Sequence, residues 1–426
     1  MKSPFAVEKL KGRWVLDARG FPTVEVEAHS NGMIGTAMAP SGVSKGRFEA
    51  HDLRDGEKPF LGMGVQSPLK SIHTVLAREL KDANACAQNE VDKLILDADG
   101  TPQKTKLGGN ATIAASLAVA RLGALLQEKP LYEHLRTLKD GSTKPFSLPM
   151  PLFTLFTGGS HAKGNVLPFQ EILLEPLKAR SMAHAIQMGS EIYHTVRDSA
   201  SKQFDSQSLN AGDSGGMALA TADIEVAFNL ILASVKELGY DKQIRLGINV
   251  AASHFRKKGM YHLTGKTMTH RQLVNFYSNL LESYPISLLI DPFAEDDIPG
   301  FQGAMTRFGH KHAIVGDDLL VSNPTRIKRV LDLKACNGLD LKPNQVGTLS
   351  ESLESFMLAQ TAKWTTIISD RAGDTEDTFI ADLAVGWESN YIKCGGLMRG
   401  ERTSKYNRLL RIEEELGKKA EFGGKK

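Results

Sequence analysis

Long apolar runs are missing from this 426-residue chain, along with most features of a secreted, membrane-bound or nucleic-acid-binding protein. The N-terminus MKSPFAVEKL has no apolar core, and no stretch approaches the roughly 20 apolar residues of a spanning helix. Neither a signal peptide nor a membrane anchor is expected. The three cysteines, Cys86, Cys336 and Cys394, are odd in number and widely spaced. That excludes a disulfide framework or a zinc-ligand pattern and fits reduced thiols in the cytoplasm. A formal net charge of +3 is small for this length, and no basic helix or RNA-binding signature occurs, so nucleic acid is not an expected partner. Walker A and dinucleotide fingerprints are absent as well.

The residues that are present describe an ordinary globular protein, 41% hydrophobic and 24% charged, of about two domains. Six strand-like segments in the second half each end in a polar or charged tip. They are IRLGINVAAS with Asn249, ISLLIDPF with Asp291, AIVGDDLL with Asp317, GLDLKPNQ with Lys342, TTIISDRAG with Asp370 and Arg371, and NYIKCGG with Lys393. Their spacing suits β-then-α units, which build a parallel barrel whose chemistry sits at the C-terminal ends of the strands. The fold class expected is therefore α/β, with a (β/α)8 barrel following a smaller α+β domain.

Residues 13–40 read as a hairpin turning at Asn31–Gly32, followed by helical patterns near 67–85, 88–96 and 110–126. The last of these is apolar on most faces and is expected to be buried. A Gly, Ser and Pro-rich stretch at 139–151 reads as a linker, which divides the chain into domains 1–138 and 152–426. Three small-residue loops, PSGVSKG (40–46), TGGSHAKG (157–164) and GDSGGM (212–217), suit closure over a small ligand with backbone N–H groups facing an anion.

Ordered stretches along nearly the whole chain resemble enolase, the phosphopyruvate hydratase family. They include LDARGFPTVEVE, PSGVSKGRFEAHDLRDG, GGSHAKGN, FQEILLEP, SYPISLLIDPF, IVGDDLLVSNPTRI, LKPNQVGTLSES, SDRAGDTEDTFIADLAVG and ERTSKYNRLLRIEEELG. The resemblance implies an N-terminal α+β domain and a barrel whose first strands are irregular. It also implies conversion of 2-phosphoglycerate to phosphoenolpyruvate with Mg²⁺. Such chemistry needs a base, a Lewis acid for the doubly charged intermediate and an acid for the departing hydroxide. Carried over residue by residue, Lys342 falls on the base and Glu171 on the acid side. His161, Gln170, Arg371 and Lys393 fall on substrate contacts, with Arg371 gripping phosphate. Asp317 and Ser44 fall on metal contacts. Neighbouring cations are expected to ease deprotonation of Lys342.

Several departures concern the same reaction. The family's tight Mg²⁺ is held by carboxylates from DxAAS, EDPF and GDD, but this chain has Asn249, Ile290 and Asp317 there. Asp291 is expected to face away, because one step along a strand reverses the side chain. Magnesium prefers a full set of hard oxygen ligands, so the cage is expected to be impaired. The acidic residue of GDEGG is Ser214, the histidine of SHRSGETE is Asp370, and the next serine is Ala372. Counting Glu171, Asp317 and Asp370 against Lys342, Arg371 and Lys393, with Lys45 and Lys163 near the rim, gives a pocket expected to attract anions.

Two functions remain open at this point. One is an enolase homologue with lost or reduced hydratase activity and a retained pocket for a small phosphorylated acid. The alternative is an active but divergent Mg²⁺-dependent hydratase or related lyase. The resemblance also implies a homodimer through Glu25 and Arg411, or a mixed dimer with an active enolase.

Overall fold

The computed structural model describes residues 3–42, 46–162, 166–204 and 209–423. Three antiparallel strands open the chain: β1 (Lys9–Leu16), β2 (Pro22–Ser30) and β3 (Met33–Met38). Asn31 and Gly32 both take positive φ, 47° and 74°, which gives the two-residue turn whose twist matches the flanking strands. Helix Gly109–Leu126 crosses β2 and β3. At 18 residues it is long and apolar enough to cross a membrane, which corrects the expectation that no stretch approaches that length, but 83% of it is buried inside the protein, as a core helix would be. Gly35 permits the close approach: a Cβ there would lie 2.3 Å from the Ala118 carbonyl oxygen.

The second unit is a closed eight-stranded barrel. Leaving aside short pairings, its strands are β4 (Met150–Thr157), β5 (Glu171–Glu175), β6 (Arg245–Asn249), β7 (Ile286–Ile290), β8 (Ala313–Gly316), β9 (Gly338–Leu341), β10 (Thr365–Ser369) and β11 (Tyr391–Lys393). All six tip-bearing segments are strands. β5 runs antiparallel to both β4 and β6, and the remaining pairs are parallel. That one reversal matters for the site. Glu171 is the first residue of its strand, yet it lies at the same mouth as Thr157 and Asn249, its register partners.

The barrel begins inside the stretch read as a linker. Residues 147–148 pair with 421–422 near the C-terminus, and β4 starts at Met150. Pro149 and Pro151 gave that stretch its linker character, but proline is tolerated where a strand begins. Inside the barrel, Leu152, Leu173, Leu288, Ile290, Val315 and Ile367 form an apolar layer beneath the mouth. The two units are tied by ion pairs across the seam, including Lys104–Glu351 at 2.6 Å and Arg121–Asp377 at 2.5 Å. Glu25, expected at a dimer contact, is buried and paired with Arg13 of its own chain, while Arg411 lies exposed.

Candidate functional site

The mouth gathers Glu49, His161, Gln170, Glu171, Ser214, Asn249, Asp317, Asp318, Lys342, Asp370, Arg371 and Lys393 around a space of about 20 Å³. That is room for roughly one water. Every candidate named from the sequence is therefore brought together except Ser44, which lies outside the described residues, as do Lys45 and Lys163. Glu49 and Asp318 are additions, and they overturn the expected excess of cations. Five carboxylates now face Lys342, Arg371 and Lys393, and each cation already has a carboxylate partner.

On the acid side, Gln170 Nε2 lies 2.9 Å from His161 Nε2, and His161 Nδ1 lies 2.7 Å from Ser214 Oγ. With the Gln170 amide as donor, His161 Nε2 accepts and its Nδ1–H donates to the serine. Burial pushes the His161 pKa down to about 3, so the ring stays neutral. Glu171 accepts from Asn249 Nδ2 at 2.8 Å and pairs with Lys393 at 3.0 Å. Burial works to raise its pKa, but Lys393 and these bonds outweigh burial and hold it well below the usual carboxylate range. Glu171 is thus a fixed anion, not a proton donor. Ser214 stands where the family has an acid and, as a hydroxyl, cannot act as one near neutral pH.

Asp370 pairs with Arg402 from below and lies 3.5 Å from Lys393. Burial raises its pKa against the pull of both cations. Arg402 itself is fully buried and was missed in the sequence, where an arginine in a terminal helix reads as surface.

Lys342 corrects the expectation of an easily deprotonated base. Burial lowers its pKa, but Asp317 and Asp340 outweigh burial and hold it above the ordinary lysine value. Asp317 pairs directly with the ammonium, and Asp340 is 3.3 Å from it. Neighbouring cations act in the expected direction, but more weakly.

Asp291, Asp317 and Asp318 bring carboxylate oxygens within 4.8 Å of one another. This overturns the expectation that Asp291 faces away: its φ of 43° breaks the strand alternation and swings the side chain back toward Asp317. Yet Asp291 accepts the Asp317 and Asp318 amides, at 2.9 and 2.6 Å, and so splints the β8 loop. Asp317 is engaged by Lys342 and by Gln345 Nε2. Burial and Asp317 push Asp318 up to about 7. Ile290 adds only hydrocarbon. These donors do not fit a tightly held Mg²⁺: the Asp291 and Asp317 oxygens are engaged by amides and an ammonium, Asp318 is pushed toward its neutral form, and one family position is apolar.

On the phosphate side, Arg371 Nη1 and Nη2 hold the two oxygens of Glu49 at 2.9 and 3.3 Å. Glu49 reaches the barrel mouth from the first domain, and its Oε1 also accepts the Gly46 amide at 2.9 Å. The guanidinium is therefore set up as a two-point oxyanion seat, with a carboxylate now in it.

A small α+β unit followed by a closed barrel with one reversed strand, its polar residues gathered at the mouth, defines the enolase type of fold. The chain belongs to the enolase family. Residues 7–135 match the enolase N-terminal domain and residues 145–426 match the enolase C-terminal TIM barrel domain. It is 41% identical to the enolase of Methanocaldococcus jannaschii over 418 residues, covering 98% of this chain and 97% of that one. It is 43% identical to the enolase of Aeropyrum pernix over 423 residues, covering 99% and 96%.

Proposed function

We propose that this enolase-family protein binds a small phosphorylated acid at the barrel mouth and has lost, or nearly lost, hydratase turnover. The observation that carries the reading is the state of the two proton-transfer positions. Lys342, at the base position, is an ammonium held between two carboxylates. At the acid position Ser214 accepts a hydrogen bond from neutral His161. Proton abstraction and hydroxide departure therefore both lack their agent. Arg371 retains a two-point grip suited to phosphate, and Lys393 lies beside it for the acid end of the ligand.

Because Glu49 occupies the Arg371 seat, an incoming phosphate has to displace it. Glu49→Gln is expected to tighten 2-phosphoglycerate binding at least about tenfold, since a charged competitor for a guanidinium is replaced by a neutral one. Titration calorimetry measures this, and unchanged or weaker binding contradicts the displacement. Purified wild type in millimolar Mg²⁺ is expected to form phosphoenolpyruvate below about 1 s⁻¹, under the ordinary range for enzymes. Turnover above that, from protein made in a host whose own enolase is excluded, overturns the reading. The working-hydratase alternative is favoured by the retained set Lys342, Glu171, Arg371 and Lys393, and the same assay decides between them. A second copy of the chain is the partner we favour, by extension from the family; light scattering that reports a monomer removes it.

A further inference from the structure

The Lys342 ammonium sits where a cation would be expected between two carboxylates. Asp317 reaches it from the loop after β8, and Asp340 Oδ2 lies 3.3 Å away. Asp340 precedes Lys342 by two residues, so both side chains share the inner face of the barrel. Asp340 is fully buried, and neither of its oxygens has a hydrogen-bond partner among the described residues. A buried carboxylate without donors is unfavourable unless a counter-charge stands against it. The ammonium supplies that charge.

The surrounding substitutions are consistent with this. Three carboxylates around a divalent ion leave one negative charge; two carboxylates around an ammonium leave the same. With the ion reduced to a single charge, a third carboxylate is surplus. Ile290 is hydrocarbon, and Asn249 is a neutral amide whose buried Oδ1 has no hydrogen-bond partner among the described residues.

We propose that Lys342 is the built-in cation of this site: held between Asp317 and Asp340, it takes the place of the divalent metal, and the pocket receives its anionic ligand without one. The ligand part rests on the phospho-acid reading above; the cation part does not. If the Lys342 pairing were only structural, removing it would leave no metal site behind. The substitution pattern instead implies that the vacated carboxylate pair would take up a divalent ion.

The test is a Mn²⁺ titration of the full chain followed by electron paramagnetic resonance. Wild type is expected to leave Mn²⁺ free to about 1 mM, and K342M to bind one Mn²⁺ at least about tenfold more tightly, with the gain lost in K342M/D340N. K342Q serves if K342M does not melt cooperatively. Tight Mn²⁺ binding by wild type that D317N abolishes overturns the proposal, as does a folded variant that gains no site. In parallel, 2-phosphoglycerate is titrated in EDTA and in Mg²⁺, with dissociation constants expected to agree within about twofold. Binding only in Mg²⁺ overturns this proposal. Binding in neither medium overturns the phospho-acid reading, and the Mn²⁺ result then decides this one by itself.

Discussion

The fourfold variant N249D/I290E/S214E/D370H is expected to form phosphoenolpyruvate at least about a thousandfold faster than wild type in millimolar Mg²⁺. A positioned proton donor contributes roughly 10² to 10⁴-fold, a Lewis-acid metal adds several kcal/mol of charge stabilisation, and a metal held by three carboxylates draws Asp317 away from Lys342, so that Asp340 alone still holds the ammonium. The backbone supports the change: Asn249 and Ile290 are register partners on β6 and β7, and Ile290 partners Val315, two residues before Asp317. Without metal the variant pays a cost. A carboxylate at 249 would meet Glu171 where the Asn249 amide now donates at 2.8 Å, and a histidine at 370 would leave Arg402 with Glu401, 3.3 Å away, in place of its closer pair with Asp370. The variant's melting temperature is therefore expected to rise with Mg²⁺ while that of wild type does not, because an ion bound only by the folded state stabilises it. A folded fourfold variant that remains inactive would place the block elsewhere, with Asp340 beneath Lys342 as the next residue to revert.

Much of the site was legible because its parts lie at strand tips, and tips are what a period-two pattern reveals. Lys342, Arg371, Lys393 and Asp317 were found on that basis and are all at the mouth. Glu171 came from the family resemblance, and its place is explained only by the reversed direction of β5, which no local pattern shows. Asp291 was misread because its left-handed φ breaks the alternation that the sequence argument assumed. Glu49 lies in a loop of the other domain, and only the assembled seam brings it to Arg371. Asp340 offered one signal: a carboxylate in an otherwise apolar strand, two residues before a lysine that shares its face. Taken together, these misses account for the cation count. The sequence exposes the lysines and the arginine at tips, whereas several of the carboxylates that neutralise them come from loops and from inside the barrel.

Arg402→Met is expected to destabilise the fold by about 3–5 kcal/mol, the range for removing one partner of a buried ion pair. Arg402 is fully buried in the last helix, Gly400–Leu416. It pairs with Asp370 and donates to the carbonyls of Asp213, Arg371 and Ala372 at 2.7, 2.7 and 2.8 Å, so one guanidinium fastens the loop bearing Ser214 to the loop bearing Arg371. Methionine fills the volume but withdraws the guanidinium donors from three carbonyls and leaves Asp370 with Lys393, 3.5 Å away, as its cation among the described residues. The pH dependence separates the charge from the carbonyls. Burial already raises the folded pKa of Asp370 above its unfolded value, with Arg402 opposing it, so losing Arg402 raises it further. A carboxyl with a raised folded pKa makes the native state bind more protons than the unfolded one, so stability falls as pH rises from the unfolded value through the folded one. The denaturant midpoint of R402M is therefore expected to drop more steeply with pH than that of wild type over that window. R402M/D370N is expected to recover part of the loss and flatten the slope, because the isolated charge is gone while the carbonyls still lack the guanidinium donors. If the double variant is no more stable than R402M at neutral pH, the ion pair contributes little and Arg402 acts through the carbonyls alone.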